Sequence, residues 1–322
     1  MKNIFTYSTA FALGLALVAT PEAEAQQFSK RKQYNSVGFS LNAVNYFGDV
    51  TPVTNFTSFR LGATRVGAGV SITRRFYPRL SGRFGLSYGR ISGDDNLAAD
   101  QNDPDARYRY NRNMSFRNDM VEASAVAIFD LIENRNNYLK RPDFVPYVFA
   151  GVAGFYHNPK GKVGDKAPEG LRPGTYVSLA ELKTEGQASA YGKTQFAIPF
   201  GGGIRYRINR NFDASLEIGW RKTFTDYLDD VGGKYAPAGS FTTAAQAYFG
   251  GGNPDASSRL TPRGGNFADG GGLTRDRTTE FRGFDTPGEI RGDSRNRTDW
   301  YIVTGVSLNY ILTPRIKNPK FR

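Results

Sequence analysis

The stretch Gln195–Phe224, QFAIPFGGGIRYRI NRN FDASLEIGWRKTF, alternates apolar and polar side chains with a period of two. In its first part, one face holds Phe196, Ile198, Phe200, Ile204, Tyr206 and Ile208, and the other holds Gln195, Ala197, Gly201, Gly203, Arg205 and Arg207. The second part sets Phe212, Leu216, Ile218, Trp220 and Phe224 against Asp213, Ser215, Glu217, Gly219 and Arg221. Because only Asn209–Asn211 separates the two parts, the stretch predicts a β-hairpin with one apolar and one polar face.

Six further segments indicate strands, which brings the predicted number to eight. They are Ser36–Tyr46, Arg65–Arg75, Leu80–Ile91, Ser115–Ile132, Phe144–Tyr156 and Trp300–Leu312. Four of the six set an apolar face against a polar one in the same way, whereas Phe144–Tyr156 is apolar on both faces, so its orientation stays open. A soluble β-sandwich also uses alternating strands, but here its outer face would expose an almost entirely apolar surface to water.

The predicted connections alternate in length along the chain. They run long, short, long, short, long, short, long, at 47–58, 77–79, 93–114, 133–143, 158–193, 209–211 and 225–297. Outer-membrane barrels have an even number of strands, short periplasmic turns and longer extracellular loops. The sequence therefore predicts an all-β fold, an eight-stranded antiparallel transmembrane β-barrel with short periplasmic turns and long extracellular loops.

The first 25 residues have the features of a signal peptide. Met1-Lys2 precedes the apolar run AFALGLALVA at 10–19, and Ala23-Glu24-Ala25 gives the small-residue pattern of a cleavage site. The run has about half of the roughly 20 residues that a transmembrane helix needs. We therefore expect a signal peptide at 1–25 and a single barrel domain at 26–322, with long loops at 158–193 and 225–297. The sequence has no cysteine, which excludes a lipoprotein anchor and disulfides.

The net charge of +12 calls for an anionic partner. Nucleic acid is the usual partner of such a chain, but an exported protein instead meets the phosphates of an outer leaflet rich in lipopolysaccharide. The expected location is the cell outer membrane, and the expected partners are its lipid and lipopolysaccharide rather than nucleic acid. The mean hydropathy of −0.48 agrees with this location, because only every second barrel residue faces lipid.

The polar faces of the predicted strands place many charges inside the barrel. The expected network consists of Arg65, Arg75, Arg83, Glu122, Arg205, Arg207, Asp213, Glu217 and Arg221. An eight-stranded barrel is just wide enough for side chains to fill it, and charges in so narrow a space must pair. The network therefore predicts a packed, self-neutralised lumen, with a narrow anion-selective pore as the functional alternative.

The sequence gives little sign of catalytic chemistry. Its single histidine, His157, follows a predicted strand and is interpreted as a surface residue of the rim. The acid pairs Asp94-Asp95 and Asp229-Asp230 lack the spacing of a metal-binding loop, and no phosphate-binding loop of the P-loop form is present. We expect a protein that is not an enzyme, with no catalytic, cofactor-binding or metal-binding residues.

Several strings at the strand ends carry a family resemblance. They are NYFGD (45–49), YGRISGDD (88–95), RNMSFRN (112–118), PYVFAGV (146–152), HNPK (157–160), TDYLDDV (225–231) and DWY (299–301). In this order the chain resembles the PorG-like outer-membrane barrels, which are associated with type IX secretion and gliding motility. The motif positions taken from this resemblance are Asn45, Tyr46, Gly48, Asp49, Asp94, Asp95, Asp226, Tyr227, Leu228, Asp229 and Asp230. It implies a barrel that works with the periplasmic ring of a secretion machine and has no catalytic role.

Two functional hypotheses of different classes follow. In the first, the protein is a structural or accessory component of type IX secretion and contacts possible periplasmic ring proteins through Ser29–Lys32, Asn134–Arg141 and Arg315–Arg322. In the alternative, it is a surface adhesion or ligand-binding barrel that acts through the loops 158–193 and 225–297, whose Arg, Tyr, Phe and Gly residues suit glycans or anionic polymers.

Overall fold

Eight antiparallel strands form a closed ring in the computed structural model, which describes residues 32–50, 61–95, 114–164, 169–236, 240–250, 291–292 and 298–313. The ring consists of β1 (Asn35–Phe47), β2 (Arg65–Arg75), β3 (Leu80–Asp94), β4 (Ser115–Asp130), β5 (Phe144–Lys162), β7 (Thr194–Arg207), β8 (Phe212–Thr223) and β9 (Trp300–Leu312). A ninth described strand, β6 (Tyr176–Ser178), lies outside the ring. The ring runs β1-β2-β3-β4-β5-β7-β8-β9 and closes where β9 pairs with β1, from Asn35 opposite Leu312 to Phe47 opposite Trp300. The predicted eight-stranded antiparallel barrel is confirmed.

The connections alternate in length as predicted. Residues 76–79, 131–143 and 208–211 join strands at one end of the barrel, called here the short-turn end. The other connections begin and end at the opposite end of the barrel, called the long-loop end. The strand bounds lie close to the predicted ones, with one main exception. β5 continues to Lys162 rather than ending at Tyr156, because its last residues still pair with β4, where Gly161 lies opposite Phe116.

The connection predicted for 158–193 also contains regular structure that its composition did not indicate. The short strand β6 pairs only with the end of β5, where Lys160 lies opposite Ser178. A later helix, α1 (Ala244–Gly250), packs Tyr248 and Phe249 into a small cluster with Val163 and Leu179. Among the described residues, no helix has both the length and the apolar character of a membrane span.

Parts of the predicted layout lie outside the described residues. These parts are the signal peptide 1–25, Ser29–Arg31 of the basic segment, most of the loop 225–297 and the tail Arg315–Arg322.

The outer face of the barrel is apolar over its whole circumference. Its exposed side chains include Phe39, Leu41, Val66, Val70, Ile72, Phe84, Leu86, Val121, Val152, Phe196, Ile204, Leu216, Ile218, Val306 and Leu308. Val66 has an exposed fraction of 77% and Phe196 of 71%, values that are unusual for large apolar side chains facing water. A continuous apolar band of this extent is typical of a surface that faces lipid.

The orientation of β5, which the sequence left open, is defined by burial. Phe144, Val148, Val152 and Tyr156 face outward and are exposed, whereas Val145, Tyr147, Phe149, Ala153 and Phe155 face the lumen and are buried. In the lumen, Tyr147 and Phe149 pack with Val126 and Ile128 of β4. The lumen is therefore filled partly by apolar side chains, which explains why both faces of this strand are apolar.

Candidate functional site in the lumen and its cap

A charged pair spans the lumen between opposite walls. Arg83 on β3 and Glu217 on β8 form two guanidinium–carboxylate hydrogen bonds, of which the Nη2–Oε2 bond is 2.9 Å long. The Tyr147 hydroxyl on β5 donates to Oε1 of the same carboxylate at 2.5 Å. The Arg83 guanidinium also lies over the Phe149 ring, 5.3 Å from its centroid. This group links three strands that are not neighbours in the ring.

A second charged group lies nearer the short-turn end and centres on Asp130. Its carboxylate contacts Arg75 Nη1 at 3.5 Å and Arg205 Nη2 at 3.2 Å. The Asp130 side chain is only 1% exposed, so one buried carboxylate lies between two guanidinium groups. Buried charges persist only when paired and hydrogen-bonded, and this arrangement meets that condition.

Arg141 closes the short-turn end of the lumen. It contacts Asp213 with its Nη2 at 2.7 Å and its Nε at 3.0 Å. Its guanidinium also donates to the carbonyls of Tyr138, Asn209 and Arg210 at 2.5, 2.7 and 2.9 Å. One side chain from a turn thereby links two turns to the wall of β8.

A third charged group lies closer to the long-loop end. The Tyr301 hydroxyl on β9 donates to Glu122 Oε2 on β4 at 2.6 Å, and Arg221 Nε lies 3.4 Å from the same oxygen. Like the Arg83–Glu217 pair, it links walls that are distant in the ring.

Most of the predicted lumen residues lie in these groups. Arg75, Arg83, Glu122, Arg205, Asp213, Glu217 and Arg221 all face the lumen. Arg207 lies at the short-turn end, where it pairs with Asp143. Arg65 does not join the lumen network, contrary to the prediction. It is the first residue of β2, and its guanidinium donates to the carbonyls of Gly62 and Thr64, both at 3.0 Å.

The side chains leave little free space inside the barrel. The cavity beside Arg83, Tyr147 and Glu217 has a volume of about 30 Å³, and a second cavity beside Arg141 has about 10 Å³. A cavity of 10–15 Å³ holds about one water molecule. These two cavities therefore have room for a few waters and not for a continuous water column.

This packing predicts an absence of ion conduction. We expect the purified protein to give no steady open current in planar bilayers, because an ion would have to displace paired buried charges. Arg205→Glu is expected to remain silent as well. A steady current whose anion selectivity falls in Arg205→Glu would contradict the packed lumen and favour the anion pore.

A polar cluster caps the lumen at the long-loop end. The Tyr46 hydroxyl lies 2.6 Å from Asp229 Oδ2 and 3.0 Å from Asp299 Oδ1. Asp299 also accepts the Leu228 N–H at 2.8 Å, and Asp229 accepts the Val231 N–H at 2.9 Å. We call this cluster, with the Arg291 group described next, the cap. It joins the end of β1 to residues that follow β8 and precede β9.

The second half of the cap surrounds Arg291, whose side chain is fully buried. Its Nη1 lies 2.9 Å from Glu185 Oε1, and its Nη2 lies 3.3 Å from Asp230 Oδ2. Asp230 also accepts the hydroxyls of Thr184 and Tyr191 at 2.6 and 2.7 Å. Asp230 has φ of 73°, a left-handed conformation that non-glycine residues adopt at a cost and that these contacts stabilise.

Two cap carboxyls, those of Asp230 and Asp299, bind protons more tightly than usual. Burial raises the pKa of Asp230 to about 6, although the Arg291 charge opposes this shift. Burial also raises the pKa of Asp299 well above its ordinary value, and the nearby Asp229, Asp49 and Asp226 charges raise it further. Since the Tyr46 hydroxyl has one proton to donate to two carboxylates, a protonated Asp299 relieves the repulsion between them.

The predicted surface position of His157 is wrong. Its side chain is buried, with its ring parallel to Tyr191 at 6.3 Å, and Tyr191 stacks in turn on Tyr227 at 4.6 Å. Asn118 Nδ2 lies 3.4 Å from His157 Nδ1. Because β5 continues beyond His157, this residue faces the lumen beneath the cap and not the surface.

The structure places most of the motif positions in or beside the cap. Tyr46, Asp229 and Asp230 form it, Leu228 is buried within it, and Tyr227 donates to Glu185 at 3.3 Å. Position 48 requires glycine because its Cα lies close to two polar groups of the cap. A Cβ there would lie 1.9 Å from the Tyr46 hydroxyl and 2.0 Å from Asp299 Oδ1.

The remaining motif positions lie around this centre. Asp49 and Asp226 are near enough for their charges to act on Asp299. Asn45 donates to Thr64 at 2.8 Å, and Asp95 accepts the Met114 N–H at 2.9 Å. Asp94 is separate, since it lines a pocket on the outer wall.

Sequence reasoning missed several residues of these groups. Asp130 lies on the polar face of β4, so the period-two pattern could have indicated it. Arg141, Glu185 and Arg291 lie in connections, where side chains follow no regular alternation. Within the described ranges, no group of three or more His, Cys, Asp or Glu side chains is arranged to hold a metal ion.

Comparison with solved structures gives weak overall similarities. OprG from Pseudomonas aeruginosa has 9% identity and a TM-score of 0.35, with 89% of this chain and 99% of that chain covered. Neisserial surface protein A has 10% identity and a TM-score of 0.34, covering 87% and 96%. Ail, the attachment invasion locus protein of Yersinia pestis, has 7% identity and a TM-score of 0.33, covering 87% and 97%.

Comparison of the sequence with known families gives a clearer result. No curated protein matches the chain. One family model, described as "Domain of unknown function (DUF6089)", matches residues 23–242, which is more than half of the sequence. The chain belongs to the DUF6089 family.

Proposed function

We propose that the protein is a non-enzymatic barrel of the cell outer membrane that acts as a structural or accessory component of type IX secretion. The observation that carries the structural part of this role is the filled lumen, in which Arg83, Glu217 and Tyr147 join opposite walls and leave a cavity of about 30 Å³. A barrel without a channel serves as an anchor rather than a conduit. The PorG-like strings support the secretion pathway in particular.

In this proposal the short-turn end faces the periplasm and the long loops face outward, as in outer-membrane barrels generally. The short-turn end carries exposed cations. Lys140 and Arg79 are exposed, and Arg135, whose side chain is 55% exposed, pairs with Glu133. A periplasmic ring subunit with acidic groups would meet these side chains together with the basic segment near Lys32 and the tail.

Charge reversal at this end tests the contact. We expect Arg135→Glu with Lys140→Glu, or deletion of Arg315–Arg322, to reduce co-purification of periplasmic ring subunits by roughly tenfold or more, which corresponds to about 1.4 kcal/mol of lost binding free energy. The reason is that attractive contacts between opposite charges become repulsive. Heat-modifiable migration on a gel, which reports a folded barrel, should persist.

The matched control changes the charge at the other end of the barrel. Lys193→Glu lies at the long-loop end and should leave co-purification unchanged. Undiminished recovery of ring subunits with every short-turn variant, or an equal loss with Lys193→Glu, would refute this contact surface.

A second candidate function is surface adhesion or ligand binding through the long loops. It is favoured by the segment 169–192, which is held in a defined shape because Thr184, Glu185 and Tyr191 are parts of the cap. Replacing residues 169–175, which are exposed except for the half-buried Leu171, by a short glycine linker separates the two roles. Intact cargo secretion with loss of surface binding would favour adhesion, and the reverse result would favour secretion.

A further inference from the structure

A pocket on the outer wall of the barrel has a basic lining. It lies on the β3, β4 and β5 side near the long-loop end and has a volume of about 300 Å³. Its lining includes Arg65, Arg90, Arg117, Lys162, Asp94 and Tyr176. We call it the rim pocket. Its volume is at the lower end of the range for small-molecule sites and suits one charged sugar or head group.

The position of the rim pocket relative to lipid follows from the strand register. Tyr88, Val121 and Tyr156 form one outward row across β3, β4 and β5, and all three side chains are exposed. The next outward row toward the long-loop end contains Arg90 and Asp119. The outward surface therefore changes from apolar to ionic within two residues of a strand.

The row after that continues the change, with Arg117 opposite Lys160. At about 3.3 Å per residue, Arg90 lies about 7 Å beyond Tyr88 along β3, and Arg117 lies about 13 Å beyond Val121 along β4. Strand tilt reduces these values to heights of about 5 and 10 Å above the apolar band. The lipid head-group layer extends about 5–8 Å beyond the hydrocarbon, so Arg90 lies within this layer and Arg117 lies just past its outer edge.

The charge of the rim pocket is positive after its own ion pairs are counted. Arg90 Nε contacts Asp119 at 2.6 Å and Arg117 Nε contacts it at 3.6 Å. Arg65 and Lys162 have no carboxylate partner among the residues that the structure describes. The four cations Arg65, Arg90, Arg117 and Lys162 outnumber the two carboxylates Asp94 and Asp119, which leaves a net charge of +2 for an anion.

The geometry also holds one guanidinium in a fixed orientation. The Arg117 guanidinium lies over the Tyr176 ring, 4.0 Å from its centroid, a cation–π contact that restricts its orientation. Ser92 and Ser115 add hydroxyl groups to the same lining. Arginine edges with nearby hydroxyls suit phosphate oxygens, which accept paired, charge-assisted hydrogen bonds.

We propose that the rim pocket binds the phosphate group of a phosphorylated glycolipid head group in the surrounding leaflet. A lipid is favoured over a soluble anion because the lining faces outward, directly above the apolar band, and not toward the lumen. The proposal rests on the membrane location in the proposed function and is independent of any role in secretion.

The test is a titration of the full-length protein in detergent with bisphosphorylated lipid A, followed by native mass spectrometry. We expect Arg65→Gln with Lys162→Gln to weaken binding of the lipid by roughly tenfold or more, since the phosphate loses two cationic partners. Neither residue has an ion pair within the described chain, so the barrel should fold normally. Arg74→Gln with Arg79→Gln is the matched control, with the same change of charge at the short-turn end.

Two further comparisons identify the ligand chemistry. Dephosphorylated lipid A should bind the unmodified protein as weakly as bisphosphorylated lipid A binds the pocket variant. Equal binding of both lipids, or an equal loss in the control variant, would overturn the proposal. Displacement of the lipid by glucosamine 1-phosphate at the same concentration would also overturn it, because the pocket would then serve a soluble anion. Ring co-purification is a separate readout, so this failure is distinguishable from failure of the secretion role.

Discussion

Replacing Glu217 by leucine is expected to destabilise the folded barrel by about 3–5 kcal/mol, the cost of leaving one member of a buried ion pair alone. Arg83 would lose both of its hydrogen bonds to the carboxylate, and the Tyr147 hydroxyl would lose its acceptor. The side chains of Arg83 and Glu217 are each 19% exposed, so little water is available to replace these bonds. Urea unfolding in lipid vesicles, followed by tryptophan fluorescence, measures the loss.

A double variant separates the unpaired charge from the lost packing. Arg83→Met with Glu217→Gln removes the ion pair but keeps an acceptor for Tyr147, and it should recover most of the lost stability. Glu133→Gln is the surface control, because its partner Arg135 is 55% exposed and such pairs contribute about 0–1 kcal/mol. If Glu217→Leu unfolded at the urea concentration of the unmodified protein, the charged lumen would not stabilise the barrel.

The barrel wall could be predicted from the sequence because its pattern is local. In β7 and β8, each side chain faces outward or into the lumen according to its place in a period of two, so Arg205 and Glu217 are found directly. The pattern fails where the lumen itself is apolar. Tyr147 and Phe149 fill it, so β5 has apolar residues on both faces and its orientation requires the structure.

The cap could be predicted only in part, because its contacts join distant residues. Tyr46 and Asp229 are 183 positions apart, and no local period relates them. The resemblance named both residues without indicating that they touch. Arg291 and Glu185 lie in connections, where no pattern marks a buried cation and its carboxylate. Arg65 shows the opposite error. The period-two pattern placed its side chain in the lumen network, but Arg65 is the first residue of β2 and its guanidinium donates to the carbonyls of Gly62 and Thr64 instead.

Raising the pH is expected to loosen the cap. The folded pKa of Asp230, about 6, lies above its ordinary value, so the folded state holds a proton that the opened state releases. Stability from this proton is complete below the ordinary pKa near 4 and is lost as the pH rises to about 6. A shift of this size corresponds to roughly 3 kcal/mol of opening free energy. Asp299 acts in the same direction, because its pKa is raised by burial and by neighbouring carboxylates.

Hydrogen exchange measures this opening directly, because the N–H groups of Leu228 and Val231 donate to Asp299 and Asp229. Protection factors for residues 225–231, corrected for intrinsic exchange at each pH, should fall between pH 4 and pH 7. In Asp299→Asn the slope should decrease, since the amide stays neutral across this range. The wall strand β2 is the internal control and should keep constant protection. Protection of the cap N–H groups that stays constant or rises from pH 4 to pH 7 would contradict this prediction. The carboxyls of Asp230 and Asp299 would then hold no excess protons in the folded state, and the cap would depend on the Arg291 ion pairs alone.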